Sequence, residues 1–183
     1  CPADSALLIG SDNSTGSAAL AGALAAGALS TGVAIISIGG IAAPVTRFGV
    51  GHYHAGGGIH IRLEAERVHL DFISQTGANI NRAQERKLEN LLASDDFRLC
   101  SAADIRPWVQ QKELLADFYA QGRELLTSNN HSARPKVAIG SADRNNTFLA
   151  AGFLSILGCE VRPDYSPGVS PESLADQVVN LGA

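Results

Sequence analysis

Ala6-Leu7-Leu8-Ile9 is a short apolar run closed by Gly10, the pattern of a strand buried on both faces. A polar stretch from Asp12 to Gly16 follows. Ser17 to Leu29 is then almost wholly small residues and good helix formers, with Leu20 and Leu24 one turn apart, which predicts a helix able to lie close to a sheet. Val33 to Ile38 reads as a second buried strand, and the strand-helix-strand order implies a right-handed crossover with the two strands parallel. Pro44 suits the first turn of a helix from Val45 to His54, stopped by Gly56-Gly57-Gly58.

The clearest period-two signal comes next. Ile59, Ile61 and Leu63 alternate with His60, Arg62 and Glu64, and Val68, Leu70 and Phe72 alternate with His69 and Asp71, which predicts two antiparallel strands. With a turn at Ala65-Glu66, Arg62 faces His69, His60 faces Asp71, and Ile61 meets Leu70 on the opposite side. Asn81 with Gln84 three residues on forms a capping pair for a helix edged by Leu88, Leu91 and Leu92. Leu114, Leu115, Phe118, Tyr119, Leu125 and Leu126 form a stripe at helical spacing, and Ser128 to Ser132 reads as a linker. The strand-helix-strand theme then returns. Val137 to Ile139 predicts a strand, Phe148 to Leu157 a helix closed by Gly158, Cys159 to Val161 a strand, and Ser170-Pro171-Glu172 the opening of a helix carrying Leu174 and Val178. The expected architecture is an α/β, three-layer α/β/α sandwich on a mixed sheet in residues 1–130, followed by the start of a second, similar α/β unit in residues 131–183.

Composition narrows the partners. The 183 residues are 45% hydrophobic, enough for a sizeable core, and 14 basic against 18 acidic residues give a net charge of −4, which offers no footprint for nucleic acid or an anionic membrane. No charged residue lies between Asp12 and Arg47. The run is nevertheless mostly Ala and Gly, is broken at Ser30-Thr31-Gly32 and Gly39-Gly40, and changes period at Val33, so it reads as a helix and a buried strand and not as a membrane span. Cys1, Cys100 and Cys159 are odd in number and widely spaced, giving neither a disulfide framework nor a zinc knuckle and pointing to a reducing, cytoplasmic setting. The chain starts at Cys1 and stops at Ala183 just after an apolar helical pattern, and is expected to be a piece of something longer.

Three features invite chemistry. The loop Gly10 to Ser17 joins a strand to a helix start, where backbone N–H groups and the helix dipole favour a phosphate; it lacks the Lys of a P-loop, Asp12 opposes an anion, and a capped turn explains the same residues. His52, His54, His60, His69 and Asp71 offer metal donors without a recognised ligand spacing, and alternating polar positions on a half-exposed sheet face explain them equally. The many serines include no G-x-S-x-G elbow.

Several landmarks together carry a resemblance. Leu8-Ile9-Gly10-Ser11-Asp12, Gly32-Val33 to Gly39, Ala43-Pro44, and Gly57-Gly58-Ile59-His60-Ile61 resemble, in order, the strand leading to G-x-D, the second strand, the T-P site and the strand entering the phosphoserine loop of the α-D-phosphohexomutases, which include phosphoglucomutase and phosphomannomutase. Where that family reads T-A-S-H-N-P, this chain reads Arg62-Leu63-Glu64-Ala65-Glu66-Arg67, so Glu64 takes the place of the phosphoserine. A carboxylate imitates the charge of a phosphoserine, yet has no hydroxyl to give up and regain a phosphoryl group, as that cycle requires. The Arg of the family's early G-x-D-x-R is replaced by Ser14.

Ala43 to Phe48, Gly57 to Leu63, and Glu85 to Asn90 with Asp95 to Arg98 are similar to a degenerate form of this domain that follows a sugar-nucleotide pyrophosphorylase in some bacterial mannose-1-phosphate guanylyltransferases. The resemblance implies a non-catalytic mutase-like module with His60, Arg62 and Arg47 as candidate contacts for a hexose phosphate. It also implies a nucleotidyltransferase on the same chain, no nucleic-acid or membrane partner, and a possible homo-oligomer. No cofactor belongs to this stretch; magnesium enters with the family's later domains. Two other readings stay open: an active mutase whose nucleophile is a neighbouring hydroxyl such as Ser74 or Thr76, and a purely structural interaction domain.

Overall fold

The computed structural model describes residues 5–64, 67–94, 97–126, 134–141 and 143–180. The expected turn at Ala65-Glu66, the linker Ser128 to Ser132 and the 130/131 boundary lie outside these residues. The chain divides into two compact units, Cys1–Leu114 and Leu115–Ala183.

The first unit is built on β1 (Leu7–Ser11), α1 (Thr15–Leu29), β2 (Ile35–Gly40), α2 (Ala43–His52), β3 (Gly57–Glu64), β4 (Arg67–Ser74), α3 (Arg82–Ser94) and β5 (Trp108–Gln110). Its five strands run in the order β4-β3-β1-β2-β5. The pairs β1–β2, β1–β3 and β2–β5 are parallel and β3–β4 is antiparallel, which makes the sheet mixed. The side-chain alternation of β3 and β4 sets their register as expected, with His60 opposite Asp71, Ile61 opposite Leu70 and Arg62 opposite His69.

The chain leaves β1 in one direction for β2 and returns past β1 to β3, so right-handed crossovers put α1 and α2 on opposite faces. On the α1 face, Ile9, Ile35, Ile59 and Ile61 pack with Ala25, joined by Ala21, Leu24 and Ala28. The small residues of α1 bring its backbone close to the sheet. On the α2 face the tight approach is made by glycines of both elements. A Cβ on Gly49 would meet Leu114 Cδ2 at 2.6 Å and Leu8 at 3.1 Å, and one on Gly58 would meet Val50 Cγ2 at 2.6 Å. This corrects the expected role of the glycine run: Gly57 and Gly58 begin β3, and α2 ends at His52, with the chain reversed by His54 at φ 51°. The capping pair of α3 forms as expected, Gln84 N–H donating to Asn81 Oδ1 at 3.0 Å and Asn81 N–H to Gln84 Oε1 at 2.9 Å.

The second unit contains β6 (Lys136–Gly140), α5 (Arg144–Ile156), β7 (Glu160–Asp164) and α6 (Pro171–Asn180), together with α4 (Leu114–Leu126) after its first residue. β6 and β7 are parallel. Phe153 of α5 lies over Gly122 of α4 while Tyr119 of α4 lies over Gly152 of α5, and Phe118 stacks edge-on against Phe153 with centroids 5.1 Å apart. α5 starts a turn before the apolar pattern suggests because Asp143 caps it, accepting from Asn145 N–H at 2.9 Å. No described helix is long and apolar enough to cross a membrane.

Candidate functional site

The carboxyl ends of β1 and β3 lie side by side, Ser11 opposite Ile61, and Asp12 ties them together. Asp12 N–H donates to Ile61 O at 2.8 Å. Its carboxylate accepts from Ser14 N–H through Oδ1 at 2.8 Å and from Leu63 N–H through Oδ2 at 2.6 Å. Partial burial opposes ionisation of this group, but hydrogen bonds from Ser14, Leu63 and Ser17 outweigh it and hold the carboxyl below its ordinary value of 3.8. A depressed carboxyl stabilises the fold at every pH above 3.8, and that contribution is lost as the pH falls through the folded-state value. Asp12→Asn is therefore expected to cost about 1 kcal/mol at neutral pH. The difference from wild type should shrink in thermal melts run progressively below pH 3.8; a difference independent of pH would refute the charged role.

The β1–α1 loop also decides between cradle and cap. Ser14 Oγ accepts from Ser17 N–H at 3.1 Å, and Ser14 O from Ala18 N–H at 3.0 Å. With Ser14 N–H held by Asp12, three N–H groups at this helix start, those of Ser14, Ser17 and Ala18, are engaged within the loop. The arrangement is a capped turn.

At the far end of β3, Glu64 Oε2 receives Arg62 Nη1 at 2.7 Å and lies 3.8 Å from His69 Nε2. The Nε of Arg62 is 3.5 Å from Asp71 Oδ2. Alternation explains this cluster: 62 and 64 share a face of β3, His69 of β4 is opposite Arg62, and Asp71, opposite His60, is its diagonal neighbour on the same face. The cluster is accessible, with the Glu64 side chain 67% exposed.

His60 belongs to the same face but is only 3% exposed. Its Nδ1 is 2.8 Å from the Oγ1 of Thr46, itself fully buried on α2. Gly10 makes room for this pair, since a Cβ there would collide with Thr46 Oγ1. Arg47, the next residue, is directed elsewhere: Nη1 donates to Gly77 O at 3.2 Å and Nη2 to Asn79 Oδ1 at 2.6 Å, which pins the β4–α3 loop. The structure thus brings Arg62 and Glu64 together, places His60 beneath them against Thr46, and gives the Arg47 guanidinium to a different loop. Thr46 and Asp12 are the site residues that sequence reasoning did not single out in these roles. Their partners lie 14 and 51 positions away, and no local pattern reports such a distance.

A cleft of about 360 Å³ opens between α1 and the β2–β5 edge, lined by Ser11, Asp12, Asn13, Ser37, Gly40 and the half-exposed Trp108 among others. Among the described residues no three His, Cys, Asp or Glu side chains converge as a metal donor set.

Comparison with known proteins agrees with this architecture. The sequence model for the phosphoglucomutase/phosphomannomutase alpha/beta/alpha domain I matches residues 2–99. Among curated proteins, the chain is 25% identical over 159 residues to the phosphoglucosamine mutase of Methanococcus maripaludis, covering 84% of this chain and 34% of the relative. It is 27% identical over 177 residues to the phosphoglucosamine mutase of Oceanobacillus iheyensis, covering 92% and 37%. A probable phosphoglucosamine mutase of Methanobrevibacter smithii is 26% identical over 187 residues, covering 96% and 41%. The chain therefore spans well under half the length of these relatives. Among solved structures, a phosphoglucomutase/phosphomannomutase family protein from Burkholderia thailandensis shares the fold with a TM-score of 0.75 at 18% identity, over 97% of this chain and 42% of that one.

Proposed function

We propose, from the premise that this chain belongs to the phosphoglucomutase/phosphomannomutase family through its domain I, that it is a non-catalytic, mutase-like module of sugar-phosphate or sugar-nucleotide metabolism. In this reading it is fused to, or assists, a mannose-1-phosphate guanylyltransferase-type enzyme in the cytoplasm. Hexose phosphate is the ligand class, by analogy with the mutases it resembles, and Arg62 at the exposed strand end is the side chain placed to meet it.

The observation that carries the reading is the chemistry at the end of β3. Glu64 stands there with its carboxylate engaged by Arg62 at 2.7 Å. A phosphoryl group on such a carboxylate would be a mixed anhydride and not the serine ester that a mutase cycle exchanges. The alternative, an active mutase using Ser74 or Thr76, finds little support in the register. Ser74 pairs with Gly57 and Glu64 with Arg67, so the two ends are separated by the length of β3, roughly 23 Å at ~3.3 Å per residue. Ser74 and Thr76 also bond each other, Oγ to Oγ1 at 2.8 Å.

Phosphomutase turnover, assayed with a hexose 1-phosphate substrate and a hexose 1,6-bisphosphate activator, is expected to stay at the level of the buffer blank. Robust turnover that disappears in Glu64→Gln would contradict the proposal.

A further inference from the structure

The outer strand of the sheet offers a surface whose chemistry matches a copy of itself. β4 is an edge strand of the five-stranded sheet. Its N–H and C=O groups alternate between β3 and the outside. Two loop bonds identify the outward set: Ile80 N–H donates to Phe72 O at 3.1 Å, and Ser74 N–H donates to Ala78 O at 2.8 Å. The even-numbered residues of β4 therefore point outward. The 78–80 segment covers Phe72 and Ser74, which leaves the backbone groups of Val68 and Leu70 as the open part of the edge; among the described residues no strand pairs with them.

The side chains add an apolar face. On the α1 side of the hairpin Leu63, Val68 and Leu70 are 42%, 47% and 43% exposed. Leu63 is opposite Val68 and Leu70 is opposite Ile61, so these residues form one patch at the sheet margin. Natural edge strands are commonly guarded by charge. A guard of one sign would repel a copy, whereas β4 carries Arg67 and Asp71 symmetrically about His69.

We propose that this edge is a homodimer interface in which β4 pairs antiparallel with β4 of a second copy about a two-fold axis through His69. In that register Val68 is opposite Leu70 of the partner subunit, and both residues exchange the backbone hydrogen bonds that point outward. Arg67 is opposite Asp71 of the partner subunit at a non-hydrogen-bonded position, where side chains approach most closely. Asp71 then stands between two guanidiniums, that of Arg62 on its own chain, 3.5 Å away, and that of the partner's Arg67. The exposed leucines and valine of the two copies meet on the other face. Registers shifted by two residues either way lose the fit: one pairs Val68 with Phe72, whose C=O is already taken by Ile80, and the other sets Val68 against itself and carries Leu70 beyond the start of β4.

Sedimentation velocity on the 183-residue chain over a concentration series tests this. The chain is expected to show a reversible monomer–dimer equilibrium. Arg67→Asp and Asp71→Arg, which each set like charges opposite one another twice per dimer, should each raise the dimer Kd by about tenfold. The double variant should recover affinity, with circular-dichroism melts confirming that all three fold. A dimer that persists unchanged in both single variants overturns the proposal by placing the interface elsewhere. A wild-type chain that is monomeric at every concentration overturns it in favour of a non-identical occupant for the edge.

Discussion

Ile61→Ala is expected to destabilise the first unit by about 3 kcal/mol, the usual cost of removing a buried isoleucine side chain and leaving part of the space empty. Ile61 has no exposed surface. Its side chain sits in the cluster of Ile9, Ala25, Ile35 and Ile59 that joins α1 to the sheet, and its carbonyl accepts the Asp12 N–H at 2.8 Å. The surroundings are strands held by ladders on both sides, which cannot collapse far into the void. Urea denaturation followed by circular dichroism should show the transition of this unit moved to lower denaturant with little change in slope. A loss under about 1 kcal/mol would mean that the α1 face is packed more loosely than described.

Thr46→Val should cost about 2 kcal/mol, although the exchange keeps the shape of the side chain. The energy resides in one hydrogen bond. Thr46 Oγ1 and His60 Nδ1 are both buried and 2.8 Å apart, so a valine leaves an imidazole nitrogen without this partner in a site closed to water. Thr46→Ser keeps the hydroxyl and should recover most of the loss. Thermal melts of the two variants decide the matter: valine clearly below serine is the expected order, and the reverse would assign Thr46 to packing alone. The same pair fixes the ring of His60, two positions along β3 from Arg62 of the candidate site.

Most of the fold was legible because its elements have strong periods. The β3–β4 register followed from alternation together with the assumed turn at Ala65-Glu66, since a shift of one residue would have turned Ile59 and Ile61 to the wrong face. The α1–β2 unit followed from a run of small apolar residues that changes period at Val33. β5 escaped notice because Trp108-Val109-Gln110 is three exposed residues long and has no alternation to display. The glycines at 57 and 58 read as a helix stop, whereas what they serve is the approach of α2 to the sheet, a tertiary requirement. At the candidate site the same division holds. The Arg62–Glu64 pairing lies two residues apart on one strand and is implied by the pleat. Thr46 beneath His60, and Asp12 accepting the backbone N–H of Leu63, depend on separate elements meeting and are visible only once the sheet is assembled. Arg47 shows the reverse error, a cation beside the site in sequence whose guanidinium is spent on Gly77 and Asn79.

The account stands or falls on whether any side chain of this protein accepts a phosphoryl group. Incubation with a hexose 1,6-bisphosphate followed by intact-mass analysis and peptide mapping asks that question directly. Unmodified protein throughout, with Ser74, Thr76 and Glu64 all recovered without phosphate, is the predicted result. A stable phosphoryl adduct on any of these residues, formed in step with turnover, would contradict it.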